Sequence, residues 1–197
     1  MDIKSRIKEV LRLEAEAIAG VEVTDAFEQA VLAMSACPGK IITTGIGKAG
    51  HIAKKFAATL CSTVTPAVYL HPSEAAHGDL GIVAQGDCVV AFSTSGKSRE
   101  VLEMLELAKH LGISSAIGIT SHPDSPMRNL CSIVVDMGEL EEACPLGLTP
   151  STSVAVMLAI GDALALALME SKGVTRDQFG LRHHGGYLGR KARTDNQ

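Results

Sequence analysis

The residues best equipped for chemistry fall in five short segments, each mixing glycine or proline with hydroxyl, basic or acidic side chains. The first is Thr43-Thr44-Gly45-Ile46-Gly47-Lys48-Ala49-Gly50. It has the form G-x-G-x-x-G, which between a strand and a helix cradles the phosphates of a dinucleotide. The companion requirement fails: an acid should close the next strand to hold a ribose, and the chain reads Tyr69-Leu70-His71-Pro72 instead. A P-loop is excluded as well, since neither Ser nor Thr follows Gly47-Lys48. What remains is a tight glycine turn that sets Lys48 at a helix start, either as a cation for a ligand or as a solvated side chain.

The second segment, Ser93-Thr94-Ser95-Gly96-Lys97-Ser98-Arg99-Glu100, gathers four hydroxyls around a glycine. A helix beginning near Ser98 would add free backbone N–H groups and the positive end of its dipole, which together meet the needs of a phosphate monoester. A capping role for Ser98 accounts for one hydroxyl and leaves the cluster unexplained. Glu100 falls in the first helical turn, where an acid is expected for the dipole alone. The third segment, His71-Pro72-Ser73-Glu74-Ala75-Ala76-His77-Gly78-Asp79-Leu80-Gly81, holds two histidines and two acids. It could relay protons or bind a metal, but His-x5-His is no zinc signature, and no metal is expected.

The fourth segment is Glu141-Glu142-Ala143-Cys144-Pro145-Leu146-Gly147-Leu148-Thr149-Pro150-Ser151-Thr152-Ser153. An acid beside an apolar loop has its pKa raised by desolvation, which suits a general base. Cys144 has no base assigned to it by spacing, so a buried, unreactive thiol is expected there. The last segment, Phe179-Gly180-Leu181-Arg182-His183-His184-Gly185-Gly186-Tyr187-Leu188-Gly189-Arg190-Lys191, reads either as a glycine-flanked arm able to close over a site or as a loose terminus.

The elements that must position these groups are legible from hydrophobic pattern. Ile3, Ile7, Val10, Leu11 and Ile18 recur at helical spacing before Gly20, and a second helix is expected from Thr24 to Ala36. Beyond Pro38-Gly39, short apolar runs alternate with helical stretches: Lys40 to Thr44, Ala67 to Leu70, Cys88 to Ser93, Ser115 to Thr120 and Ser132 to Asp136. That alternation predicts an α/β three-layer sandwich with a parallel sheet, in which strand-to-helix junctions gather the functional residues. Val154 to Met169 is the most apolar segment, but Asp162 near its centre marks it as a core helix and not a membrane span.

Composition narrows the classes. Apolar residues make up 46% and aromatics 3%, so the core must be aliphatic. A net charge of −4 gives no basic field for nucleic acid or an anionic membrane, and neither is expected as a partner. Cys37, Cys61, Cys88, Cys131 and Cys144 form no C-x-x-C pair and read as reduced, mostly buried thiols, and the charged N-terminus lacks the apolar run of a signal peptide. A cytoplasmic location is expected. With no repeat or long linker, residues 1–197 read as one domain: N-terminal helices over 2–36, a core of about 38–173 and a C-terminal arm over 174–197.

In order and spacing, TGIGKAGHIAKK, HPSEAAHGDLG, STSGKSREV, EEACPLGLTPSTS and GLRHHGGYLGRK resemble the bacterial D-arabinose 5-phosphate isomerases of the sugar isomerase (SIS) domain family, from about Ile41 to Lys191. The resemblance implies a flavodoxin-like sheet and interconversion of D-ribulose 5-phosphate and D-arabinose 5-phosphate without a cofactor. It also implies supply of Kdo synthesis for lipopolysaccharide or capsule, and a homotetramer with active sites between subunits. Matching motif to motif places the catalytic positions on Lys48, Glu100, Glu142 and His183. The substrate and phosphate contacts fall on Thr44, Gly45, Gly47, His77, Ser93, Thr94, Ser95 and Ser98. The chain departs from the pattern twice: many relatives continue into a pair of CBS domains, and His184 stands where relatives commonly have Pro. The implied chemistry has Glu142 as base, Lys48 stabilising an enediolate, His183 serving ring opening or proton transfer on oxygen, and Glu100 orienting Lys48 or a sugar hydroxyl. Two rivals stay open: a non-catalytic sugar-phosphate sensor, and an isomerase of another phosphosugar.

Overall fold

A computed structural model describes residues 1–183 and 185–194; His184, the departure from the family pattern, lies outside the described residues. Five strands form one sheet: β1 (Ile41–Gly45), β2 (Ala67–Tyr69), β3 (Cys88–Phe92), β4 (Ser115–Thr120) and β5 (Ile133–Asp136). All are parallel, in the order β2-β1-β3-β4-β5, with Gly45 level with Phe92 and Phe92 level with Ile119. Each run begins and ends within a residue of its expected bounds. Near-continuous burial explains why: β1 and β3 are buried at every position, so both faces must be apolar.

Alternate side chains enter two cores. Ile41, Val90, Phe92, Ile117, Ile119 and Val135 face one side, and Ile42, Val89, Ala91 and Ala116 the other. The first core is covered by α2 (Asp25–Ser35), α3 (Gly47–Ser62) and α6 (Thr152–Ser171), the second by α4 (Pro72–Ala75) and α5 (Arg99–His110). Burying each large aliphatic or aromatic side chain contributes about 1.5–3 kcal/mol. Half of the apolar α6 window is buried within the fold, as its core reading requires, and Asp162 is ion-paired with Lys55.

α3 and α6 run parallel. Lys55 meets Asp162 and, one turn past the end of α3, Thr65 Oγ1 accepts from Lys172 Nζ at 3.1 Å, the same sequence offset of 107 each time. Extended backwards, that register sets Lys48 level with the first turn of α6. Both helix N-termini therefore stand at the C-terminal edge of the sheet.

The opposite edge is tied shut. Asp87 is buried, and its carboxylate accepts from Lys40 Nζ at 2.7 Å, from Lys40 N at 2.9 Å and from Ala84 N at 2.8 Å. Burial acts to raise its pKa; the Lys40 ammonium and the backbone donors outweigh burial, and the net pKa is lowered. Gly39 is required here, since a Cβ would fall 2.2 Å from Asp87 Oδ1.

The periphery differs from its sequence reading. α1 (Ile3–Ala19) forms as expected and stops at Gly20, but it buries no residue, and its apolar stripe of Ile3, Ile7, Leu11 and Ile18 is exposed. Past α6, α7 (Arg176–Arg182) opens with a Thr175/Gln178 capping box and packs chiefly on α8 (Gly186–Thr194).

Candidate active site

Chain order reverses direction between β1 and β3, and the loops leaving these neighbouring strands part to open a crevice. One side is the Gly45–Gly50 turn. Gly47 has φ +60°, and a Cβ at Gly50 would lie 2.6 Å from the Gly45 carbonyl oxygen, so glycine lets α3 press onto β1. Lys48, exposed in the first turn of α3, is thereby placed at the crevice. Thr44 lies one residue before this turn. Its hydroxyl is buried and donates to the Leu70 carbonyl at 2.8 Å, so it joins β1 to the end of β2.

The other side is the Ser93–Ser98 loop. Gly96, at φ +61°, makes the turn, and a Cβ there would meet Ser125 Oγ at 1.9 Å. Ser98 occupies the N-cap of α5, yet its hydroxyl makes no capping bond and lies 3.1 Å from Ser93 Oγ instead. Ser95 Oγ accepts from Lys97 N at 3.2 Å. The Ser93 and Ser98 hydroxyls thus face each other at a helix N-terminus, where an anion is stabilised by N–H groups and dipole, while Ser95 is exposed at the rim of the loop. Glu100 is half-buried in the next turn.

Sequence reasoning missed the wall beyond this loop. The Thr94 carbonyl accepts from Ser121 N, from Thr120 Oγ1 and contacts His122 Nδ1, each at 3.0 Å. Ser121 Oγ and Ser125 Oγ are buried without a hydrogen-bond partner. The available signal was position: Thr120-Ser121-His122-Pro123-Asp124-Ser125 is a polar cluster directly after β4, the neighbour of β3.

Glu142 sits at the N-terminus of α6. Its Oε2 accepts from Ser151 N at 2.8 Å and Ser153 N at 3.3 Å, with Ser151 Oγ at 3.5 Å. Partial burial is the largest single influence and acts to raise its pKa. The nearby Ser153 hydroxyl and the N–H groups of residues 151–153 together outweigh burial, so the net shift is downward. This corrects the expected raised pKa: the loop folds back and offers donors that the sequence pattern does not reveal. Glu141, its neighbour, is exposed.

Cys144 is also corrected. It is half-buried rather than buried, and its pKa falls to about 6 because the Thr149 hydroxyl and the N–H groups of Thr149, Leu146 and Leu148 surround the sulfur. Of the other thiols, Cys88 and Cys131 are buried, Cys37 is half-buried and Cys61 is exposed.

His183 stands at the C-cap of α7, on the arm that follows α6. α6 spans about 30 Å, and α7 begins beyond its far end. The described contacts of His183 are a stack on Phe179 at 4.1 Å and a bond from its N–H to Gly180 O, and its Nδ1 is buried without a partner. His77 is exposed in the turn after α4. His71 meets Tyr69 edge-on and helps line a cleft of about 560 Å³ that also includes Asp79 and Ile82. Tyr69 OH donates to Gly45 O at 2.9 Å, so this cleft adjoins the β1 turn. An apolar groove of about 490 Å³ between α1, α2 and α6 has Glu28 as its one charged lining residue and nothing suited to a phosphate.

The SIS domain model matches residues 34–167, from α2 through nearly all of α6. The chain belongs to the SIS domain family. This SIS domain is 43% identical over 193 residues to the arabinose 5-phosphate isomerase KdsD of Yersinia pestis, covering 97% of this chain and 58% of the relative. It thus spans less than three fifths of that relative's length. Among solved structures, a candidate phosphosugar isomerase involved in capsule formation from Bacteroides fragilis superposes with TM-score 0.91 at 44% identity, covering 94% of this chain and 99% of that one. The E. coli CFT073 protein c3406, in complex with arabinose 5-phosphate, superposes with TM-score 0.89 at 40% identity, covering 92% and 97%. The SIS assignment carries with it the expected parallel α/β architecture.

Proposed function

We propose that this SIS domain interconverts D-ribulose 5-phosphate and D-arabinose 5-phosphate through an enediol, without a cofactor. The observation that carries the reading is one sheet edge that combines an ionised carboxylate at Glu142, Lys48 at a helix start and a hydroxyl-rich loop, Ser93–Ser98, at the N-terminus of α5. A sensor needs the cradle but has no use for the base and the cation together. The names of the KdsD relatives and the arabinose 5-phosphate held by the E. coli structure support the same substrate.

In the proposed cycle the cradle holds the phosphate and fixes the sugar's reach. Glu142 takes the proton from the carbon beside the carbonyl; the electron pair moves onto oxygen, and Lys48 stabilises the enediolate. A proton moves between the two oxygens through His183, and Glu142 returns its own proton to the neighbouring carbon. All described hydrogen bonds to Glu142 fall on Oε2, which leaves Oε1 for the carbon acid. Glu100 orients Lys48 or a sugar hydroxyl. The product would feed Kdo synthesis in the cytoplasm, for lipopolysaccharide or capsule.

The place of His183 on a glycine-flanked arm past the end of α6 suits a shared site, in which it would serve a neighbouring subunit of a homotetramer. Incubation with ribulose 5-phosphate followed by NMR should show arabinose 5-phosphate accumulating to equilibrium; tight binding without turnover would favour the sensor. For the shared site, Lys48→Ala and His183→Ala chains refolded together should regain about a quarter of the sites, because an isologous pair exchanges equivalent arms. Hybrid oligomers that stay inactive would place His183 within its own subunit.

A further inference from the structure

α1 is anomalous. It is 17 residues long, buries none of them and lies outside the matched SIS region, yet it holds one long-range polar contact: the Arg6 guanidinium donates to the carbonyl of Ala143, 137 residues away. Ala143 is the residue next to Glu142. Its N–H is held from the other side by buried Thr152 Oγ1 at 3.0 Å. Both peptide groups of Ala143 are thus engaged, one by the first turn of α6 and the other by α1. Arg6 is steadied in turn by Glu9, at 2.8 Å on Nη1, so the guanidinium carries the loop on one end and its own helix on the other.

We infer that Arg6 is a positioning residue for Glu142, and that α1 serves as a strut for the 141–150 loop. This deepens the isomerase reading and rests on it. Segment 137–151 has no regular secondary structure and contains two prolines, Pro145 and Pro150, around an exposed Leu146-Gly147-Leu148 turn. Such a loop has few contacts of its own to fix the carboxylate. The α6 N–H groups hold Oε2, which sets the carboxylate's charge; the Ala143 clamp sets the backbone from which it projects. A charge-assisted hydrogen bond from guanidinium is among the stronger ways to fix a carbonyl. A base displaced by about 1 Å can lose up to 100-fold in rate while substrate affinity survives.

The test uses the full chain in four forms: wild type, Arg6→Met, Arg6→Lys and Arg12→Ala. Arg6→Met keeps the aliphatic stem and removes the donors. Arg12 pairs with Glu16 on its own helix and controls for lost charge on α1. Two readouts are taken: kcat and KM for ribulose 5-phosphate, and amide hydrogen exchange of the peptide covering residues 139–150. Arg6→Met should lower kcat about tenfold with KM within twofold, and speed exchange in that peptide about tenfold while β3 and α5 peptides stay unchanged. Arg6→Lys should recover part of both, and Arg12→Ala should match wild type. Unchanged loop exchange in Arg6→Met overturns the clamp whether or not the wild type is an isomerase. Faster loop exchange with unchanged kcat overturns its positioning role. A wild type without turnover instead sinks the isomerase reading, and exchange alone then judges the clamp. If Arg6→Met fails to fold, α1 supports the fold and not the loop, and the inference is wrong.

Discussion

The two edges of the sheet hold similar groups in opposite states. At the N-terminal edge Asp87 is buried and receives Lys40 and two backbone donors, so its charge is spent inside the fold. At the C-terminal edge Lys48 is exposed, Ser98 leaves its helix uncapped by its side chain, and Glu142 uses one oxygen of two. The same chemistry is saturated in one place and held ready in the other. A paired carboxylate stabilises; a carboxylate kept ionised with a free oxygen is equipped to react. Substitutions at the C-terminal edge should therefore cost rate or affinity and little stability, and substitutions at the N-terminal edge the reverse.

The largest effect expected is at Lys48. Lys48→Met removes the cation that the proposed cycle sets against the enediolate charge, and kcat should fall about 1000-fold, the upper range for losing one electrostatic stabiliser. Its melting temperature should stay within about 2 °C of wild type, because an exposed side chain that ties no elements together contributes little to stability. A fall in melting temperature as large as that of an Asp87 variant would erase the contrast between the edges.

Next comes the cradle. Ser95→Ala with Ser98→Ala should raise KM for the phosphosugar about 150-fold, from the loss of two hydrogen bonds to a charged group at about 1.5 kcal/mol each. Steady-state kinetics would show it, with kcat nearly kept. An unchanged KM would mean that the phosphate lies elsewhere, with the buried Ser121 and Ser125 hydroxyls as the next place to look.

At the closed edge, Asp87→Asn should destabilise by about 2 kcal/mol with kcat unaltered, since a buried acceptor is lost and Lys40 is left unpaired. In a domain of this size that is a fall of about 5 °C in melting temperature. The pH dependence has a definite sign. Asp87 has a depressed folded-state pKa, so its contribution is complete above the unfolded value, 3.8, and is lost as pH falls through the lower folded value. The gap between wild type and variant should be constant near neutral pH and close only in strong acid.

The framework was legible in the sequence because both-face burial writes strands as continuous apolar runs, and the junction rule then located Lys48 and Ser93–Ser98. Thr44 and Ser93 look alike in sequence, each a hydroxyl where a strand ends; only the Leu70 carbonyl, brought alongside by pairing of β1 and β2, commits Thr44 to the frame. Glu142 was legible as an acid in an apolar loop, but not the direction of its pKa, because its donors come from residues 151–153 folding back over it. Periodicity gave α1 as a helix and said nothing about what lies against its stripe. The tie from Arg6 to Ala143 spans most of the chain and has no local signature.

The central claim is that Glu142 moves the carbon-bound proton at the open edge, and the most direct measurement is deuterium uptake from heavy water by NMR, for wild type and for Glu142→Gln. Wild type should place deuterium on the carbon next to the carbonyl during turnover, at neutral pH where the lowered pKa keeps the carboxylate ionised. Glu142→Gln keeps the side chain's shape and removes the base, so uptake should fall at least about 1000-fold with KM largely kept and the melting temperature little changed. Uptake near the wild-type rate in Glu142→Gln would contradict the account and move the base role to His183.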